Sequence, residues 1–280
     1  MHKSVATALD VLRDRGPGEV VRVSIEKAAM WWRLGDPIDL RKLIGRPSPV
    51  ARLDGCRFEL DASEMSENLR YLLLSGKHEK PERMLVRRFL DPTLPVVDLG
   101  GSIGVVSCIT NRKMRHPRLH VVVEANPSLI PLLVRNRNAN RCHFTVLNRA
   151  IGYGGARLRL HVSPNVLAST VYGESDTTID VETTTLGAIL DDQGYQRCNL
   201  VCDIEGAEAD LVRNEAGTLS AHVDMFIVEV HERLIGTAPT QAMLRTLSDA
   251  GFETAGREWD AVALRNTRRE RTPAARGSIA

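Results

Sequence analysis

An apolar run that ends in an acid and then breaks on glycines constrains this chain most. In Val96-Val97-Asp98-Leu99-Gly100-Gly101-Ser102-Ile103-Gly104 the run carries Asp98 near its end and turns at Gly100 and Gly101. A new apolar pattern then starts at Val105, Val106 and Ile109. This order predicts a buried strand, a tight turn and a helix start. Glycine has no Cβ, so the backbone can reverse sharply and a ligand can come close to it. The N–H groups that open the helix lack partners within it and point at whatever lies above the turn. Asp98 is placed to accept a hydrogen bond from a ligand ammonium or from the loop itself.

The next apolar run repeats the design. Leu119-His120-Val121-Val122-Val123-Glu124 also ends in an acid. Glu124 follows Gly104 by about 20 residues, the distance at which the second strand of a nucleotide-binding βαβ unit holds ribose hydroxyls. The glycine spacing is D-x-G-x-x-x-G, whereas a dinucleotide pyrophosphate calls for G-x-G-x-x-G. S-adenosylmethionine has no phosphate and offers an amino-acid end, a sulfonium and a ribose. The ribose carboxylate without the phosphate fingerprint favours that cofactor over NAD.

Composition narrows the classes. At 280 residues, with 43% hydrophobic and 26% charged content, the chain is long enough for one large α/β domain plus an N-terminal extension. A net charge of +2 gives no general attraction to nucleic acid or membrane. The five cysteines, Cys56, Cys108, Cys142, Cys198 and Cys202, form no C-x-x-C pair. They read as reduced, buried thiols of a cytoplasmic protein, with no metal expected. No run approaches the roughly 18 apolar residues of a membrane helix, and the first residues lack the apolar core of a signal peptide.

Residues 1–50 read as an N-terminal helical extension, with helices over 5–12 and 24–34, packing residues Trp31 and Trp32, and a linker at Gly45–Pro49. The main domain is expected over 51–266. It opens with a hairpin at Ala51–Leu60 and helices over 63–74 and from Pro81 to about Leu90. His78 and Glu79, just before that second helix, are placed to face a pocket over the sheet. Beyond the central βαβ unit, a helix from Pro127 to Asn140 and a strand from His143 to Leu147 continue the rhythm. Ala156–Val162 and Thr178–Thr184 alternate as an antiparallel pair around a polar loop, Ser163–Asp176. A short helix at Leu186–Leu190, a strand ending in Asp203, a strand at Asp224–Val230, a helix at Thr240–Ala250 and two closing strands follow. From about Asn266 onward, Arg268, Arg269 and Arg271 suggest a flexible basic tail over 267–280.

Four strands therefore end in polar groups at their carboxyl ends: Asp98, Glu124, Asp203 with Glu205, and Glu229 with His231. In an open α/β sheet those ends line the crevice where ligands bind, and several desolvated carboxylates on one edge each need partners. The ordered series Val97–Gly104, Glu124-Ala125-Asn126-Pro127, Ala150-Ile151-Gly152 and Asp203-Ile204-Glu205-Gly206-Ala207-Glu208 resembles the FkbM-type S-adenosylmethionine-dependent methyltransferases. Gly76-Lys77-His78-Glu79 resembles that family's glycine-to-glutamate approach segment.

The resemblance spans about Leu53 to Arg265. It implies an α/β, Rossmann-like, seven-stranded class I methyltransferase sheet with helices on both faces. It implies that Asp98, Gly100 and Gly104 hold the amino-acid end of S-adenosyl-L-methionine, that Glu124 holds the ribose, and that Arg149 and Ala150 lie near the adenine. Glu79, Gly101, Ser102, Ile103, Ala125, Asn126 and Asp203 complete the expected cofactor contacts. Two departures stand out: Ser102 replaces an asparagine common in the family, and Gly187 replaces an aspartate of the T-x-x-L-D segment.

Family members mostly methylate hydroxyls on natural products, glycans or lipids. A small-molecule or glycan acceptor is therefore expected, with no nucleic acid or membrane partner and self-association left open. For such a reaction His231 is the first candidate base, because its ordinary pKa suits neutral pH. Asp203 and Glu205 are the alternatives. Two carboxylates and a histidine could also hold a divalent metal, but the resemblance implies none. The competing classes are a non-catalytic module that retained the fold and an NAD-dependent enzyme, the latter disfavoured by the glycine spacing.

Overall fold

The Asp54-Gly55 turn starts the described chain. β1 (Val50–Leu53) pairs antiparallel with β2 (Cys56–Glu59), and the turn residues take φ of 47° and 83°, as a two-residue hairpin demands. In this computed structural model residues 50–60, 65–162, 169–170 and 178–270 are described. The N-terminal extension, its tryptophans, the linker and residues 271–280 lie outside the described residues.

α1 (Glu67–Leu74) begins where the Ser66 hydroxyl accepts a hydrogen bond from the Leu69 amide, an N-cap. It buries Leu69 and Leu73 with the hairpin residues Leu53 and Phe58. α2 (Lys80–Phe89) carries Pro81 in its first turn, where a missing N–H costs nothing. The central unit follows as β3 (Val96–Leu99), α3 (Val105–Lys113), β4 (His120–Val123), α4 (Ile130–Ala139) and β5 (Thr145–Leu147). Next come β6 (Ala150–Ile151), β7 (Arg157–Val162), β8 (Ser169–Thr170) and β9 (Thr178–Thr184). These four make a small separate sheet in the order β6-β9-β7-β8. β7 and β9 are the antiparallel pair expected from their alternation. The segment read as one polar loop contains β8, which pairs with β7.

The last third supplies α5 (Leu186–Gln193), β10 (Cys198–Cys202), α6 (Glu208–His222), β11 (Val223–Glu229), α7 (Glu232–Ile235), α8 (Thr237–Asp249), β12 (Phe252–Glu258), β13 (Ala261–Asn266) and α9 (Thr267–Glu270). One expectation fails here. Asn266 is buried, and its amide nitrogen donates to the Ser220 and Val223 carbonyls. Arg268 donates to the Asp249 carbonyl and packs over Gly251. Thr267–Glu270 thus form a docked helical turn, because their backbone and arginine partners lie on neighbouring elements.

The large sheet has seven strands in the order β12-β13-β11-β10-β3-β4-β5. β11, β10, β3, β4 and β5 run parallel, and β13 is antiparallel to both its neighbours. β3, β4 and β10 are buried along their whole length, as parallel strands covered on both faces must be. The chain leaves β3 toward β4 and β5, then returns on the other side at β10 and β11. That reversal opens a crevice at the carboxyl ends of β3 and β10. All five cysteines are buried, and none forms a disulfide.

Candidate active site

The loop after β3 is shaped by what lies against it. A Cβ on Gly100 would stand 1.7 Å from the Asp203 carbonyl oxygen, and one on Gly101 would stand 2.3 Å from the Val122 side chain. Glycine is therefore required where the ends of β3 and β10 touch, and φ at Gly100 is 92°. The amides of Gly100 and Gly101 both donate to the Val123 carbonyl, at 2.9 and 3.0 Å. The Ser102 amide donates to Glu124 Oε2 at 2.7 Å, and the Asn126 amide donates to Glu124 Oε1 at 2.7 Å. Glu124 thus clamps two loops from the end of β4. Burial pushes its carboxyl up to about 7, against those amide hydrogen bonds.

A cleft of about 220 Å³ opens over this loop. Gly100, Ser102, Glu124 and Ala125 line it on one side. Arg149 and Ala150 border it, and Leu129, Ile151 and Leu160 give it an apolar wall. His78, Glu79, Asp203 and Glu205 close the other side. Ile103 and Gly104 lie instead in the core beneath the loop, where Ile103 is fully buried and a Cβ on Gly104 would strike Leu133. Asn126 turns its Oδ1 to the Ser128 amide and hydroxyl, starting the turn into α4.

Asp98 sits under the loop at 2% exposure. Its Oδ2 accepts from the Ser107 hydroxyl at 2.6 Å and lies 3.8 Å from His120 Nε2. Burial raises its carboxyl to about 7, opposed by Ser107 and reinforced by Glu79 and Glu124. Burial lowers His120 to about 3, so that ring is neutral. The Asp98 carboxylate is therefore turned into the protein, toward α3.

Glu79 caps the approach segment. It takes a left-handed φ of 48° before α2. Its Oε2 accepts from the Val106 amide at 3.3 Å, at the N-terminus of α3, where negative charge is favoured. Its Oε1 lies 3.3 Å from His78 Nε2. Burial would raise this carboxyl, but His78, the Val106 amide and Arg83 outweigh it and leave it below its usual value. Arg83 is itself fixed at 2.6 Å by both Asp54 and the Gly76 carbonyl.

The far side of the cleft is built differently. After β10, Glu205 takes φ of 51° and Gly206 takes 104°. The fully buried Glu208 pins this turn, accepting from the Ile204 amide at 2.9 Å and the Gly206 amide at 3.0 Å. Glu208 Oε1 also lies 3.0 Å from His231 Nδ1, beyond the end of β11. A carboxylate that already accepts from amides only accepts, so Nδ1 is the donor. His231 Nε2 then faces Asp203 Oδ1 and Glu205 Oε2, each at 3.5 Å, and Glu229 Oε1 at 4.0 Å.

Burial opposes the imidazolium, yet the Glu208 hydrogen bond and the charges of Glu208, Glu229 and Glu205 raise His231 to about 9. Burial, then Glu229 and Glu205, push Asp203 well above the usual carboxylate range.

Sequence reading named Asp203, Glu205 and His231 but missed Glu208 and Glu82. Glu208 closes the Asp203-Ile204-Glu205-Gly206-Ala207-Glu208 stretch, and an acid in the first turn of a helix is a visible capping signal. Gly187 is explained by another acid: its amide donates to Glu215 Oε2 at 2.6 Å, and the Leu186 amide donates to Glu215 Oε1 at 2.7 Å. A glutamate from α6 thus caps α5.

A seven-stranded sheet with one antiparallel strand at this position, a glycine turn after its first central strand and a ribose-type carboxylate after the next define the Rossmann-like methyltransferase class. Residues 98–254 match the methyltransferase FkbM domain, more than half of the chain, and the chain belongs to that family. Its cofactor is S-adenosyl-L-methionine.

Among solved structures, the ribosomal protein L11 methylase of Lactobacillus delbrueckii subsp. bulgaricus is 11% identical, with a TM-score of 0.40 over 68% of this chain and 77% of that one. TYW2 of M. jannaschii, in complex with AdoMet, is 14% identical, with a TM-score of 0.40 over 77% and 82%. The precorrin-6y C5,15-methyltransferase of Geobacter metallireducens is 13% identical, with a TM-score of 0.40 over 74% and 91%. No curated protein matches the sequence.

The residues present fit the cofactor. Each Glu124 oxygen spends one lone pair on an amide and keeps another for a hydroxyl donor. The Ala150, Ile151 and Leu160 wall suits a flat, weakly polar ring. Glu79 lines the cleft and brings negative charge to it, which suits an ammonium.

Proposed function

We propose that this methyltransferase acts on a hydroxyl of a small molecule or glycan. The observation that supports this reading is the convergence of Asp203, Glu205 and His231 across the cleft from Glu124. Bound S-adenosyl-L-methionine supplies a methyl group already activated by its sulfonium. The protein's own tasks are to orient the acceptor oxygen and to take up its proton.

The three groups interact too strongly to be assigned separate titrations. We therefore assign the proton to the Asp203–Glu205–His231 group as a unit, with Glu208 fixing the orientation of the ring. A net charge of +2 supports a small acceptor over nucleic acid, and among the described residues no helix is long and apolar enough to cross a membrane. Action in the cytoplasm belongs to the same proposal.

The test incubates the purified chain with methyl-labelled S-adenosyl-L-methionine and paired acceptors that differ only in hydroxyl against amine. Mass spectrometry then locates the label. Transfer to hydroxyl members is expected, and transfer confined to amines would overturn the reading. Asp203→Asn should lower kcat by about 10²-fold or more while leaving S-adenosylhomocysteine affinity within a few-fold.

A further inference from the structure

The acid side of the cleft gathers the carboxylates of Asp203, Glu205 and Glu229 around one imidazole. His231 Nδ1 donates to Glu208, so the lone pair of the neutral ring lies on Nε2. That atom faces two carboxylate oxygens, from Asp203 and Glu205, at 3.5 Å each. The three ligand atoms lie within 4.8 Å of one another. Cis ligands of a cation with bonds of about 2.1 Å stand about 3 Å apart, so a small inward rotation closes the set.

Two further observations point the same way. Asp203 Oδ1 is a buried atom with no hydrogen-bond partner. Glu82, at 3% exposure on α2, adds a further buried carboxyl whose charge is felt at Asp203. Glu82 Oε2 also lacks a hydrogen-bond partner. Among the described residues no lysine or arginine forms an ion pair with Asp203, Glu229 or Glu82. Arg83, on the same helix turn, is committed to Asp54. The ring is moreover oriented as metal-bound histidines are, with its other nitrogen held by a buried carboxylate.

We propose that Asp203, Glu205 and His231 Nε2 bind a divalent cation at the carboxyl ends of β10 and β11, with Glu229 near enough to add an oxygen as the fourth ligand. Two carboxylate oxygens and one imidazole nitrogen suit a first-row ion that accepts both donor types, of which Mn²⁺ is the best match. Asp203 and Glu205 line the cleft. A hydroxyl bound there would be oriented and made more acidic. That role rests on the proposed hydroxyl acceptor; cation binding does not.

The test is electron paramagnetic resonance of Mn²⁺ titrated into the chelator-treated full chain, with Mg²⁺ as competitor. Loss of the free six-line signal should saturate at one Mn²⁺ per chain. Asp203→Asn and His231→Ala should each weaken binding at least tenfold, whereas Asp210→Asn, a surface acid on α6, should leave it unchanged. Glu205→Gln is the second variant if Asp203→Asn melts early. An undiminished free signal with protein in excess would overturn the proposal, as would binding that none of the site variants alters. Calorimetry with S-adenosylhomocysteine on the same samples separates the two readings. Retained nucleoside binding without Mn²⁺ binding rejects the cation site and leaves the methyl-transfer assignment standing.

Discussion

The two sides of the cleft handle buried negative charge in opposite ways. On the β3–β4 side Glu124 meets backbone amides from Ser102 and Asn126 with both oxygens. On the β10–β11 side Asp203, Glu205 and Glu229 face one another and a single imidazole. The first side is satisfied by its own backbone and keeps its shape without a ligand. The second gathers like charges, which folding alone does not reward. A preformed cradle suits a cofactor shared by a whole class; the crowded acid side is where the proposed acceptor chemistry falls.

Removing one acid from each side should therefore change stability with opposite signs. Glu124→Ala orphans two amides next to a 6% exposed position, and each buried unsatisfied donor costs about 1–3 kcal/mol. A fall in Tm of several degrees is expected in thermal unfolding. S-adenosylhomocysteine affinity should drop at least tenfold by calorimetry. An unchanged Tm would mean the amides find water instead, and unchanged affinity would remove the ribose assignment.

Asp98 tests whether the well-satisfied side hides a strained acid of its own. Its carboxyl rises from 3.8 to about 7 on folding, chiefly by burial. The groups around it are Ser107, His120, Glu79 and Glu124. A raised folded pKa means the folded state holds the proton more tightly. Its stabilising contribution is complete below about 4, is lost as pH climbs, and is gone above about 7. Asp98→Asn keeps an acceptor for Ser107 and never ionises. Its Tm advantage over the natural chain should therefore grow from pH 4 to 7 and then level off, at most a few kcal/mol. An advantage that is flat with pH would show that Asp98 stays ionised through solvent reaching it.

On the opposite side, Glu82→Gln should raise Tm at pH 8 in chelator-treated protein, by about 1 kcal/mol. Burial and then the charge of Glu229 hold the Glu82 carboxyl well above the usual range, so its ionised form is disfavoured, and glutamine removes the ionisable group and supplies a permanent donor beside Glu229. A lower Tm would mean that Glu82 is protonated and already donating, so that the cluster is less crowded with charge than the contacts imply.

Sequence showed one side of this contrast far better than the other. Strands ending in acids, the glycine turn and the Asp54-Gly55 hairpin rest on local rules, so Glu124, Gly100 and the alternation of strands and helices could be anticipated. The acid side depends on long-range partners. Glu82 on α2, Glu208 on α6 and His231 beyond β11 are brought together only by the sheet order, which no local pattern encodes. The direction of Asp98 was also hidden, because its choice between ligand and Ser107 is decided by how α3 packs on β3. Asn266 and Arg268 misled for the same reason: a basic terminus reads as solvated until its carbonyl partners are in place.

The smallest expected effect concerns the cradle's one strained residue. Ser102 holds φ of 47°, a left-handed conformation that asparagine adopts more readily than serine. The family's common residue there is asparagine. The Glu124 contact uses the Ser102 backbone amide and not its hydroxyl, so the substitution leaves the clamp intact. Ser102→Asn should then raise stability by a few tenths of a kcal/mol, read as a small upward shift in urea midpoint with an unchanged m-value. S-adenosylhomocysteine affinity should stay within about twofold. A loss of stability would show that the serine side chain fills a place in the cleft that the larger amide cannot.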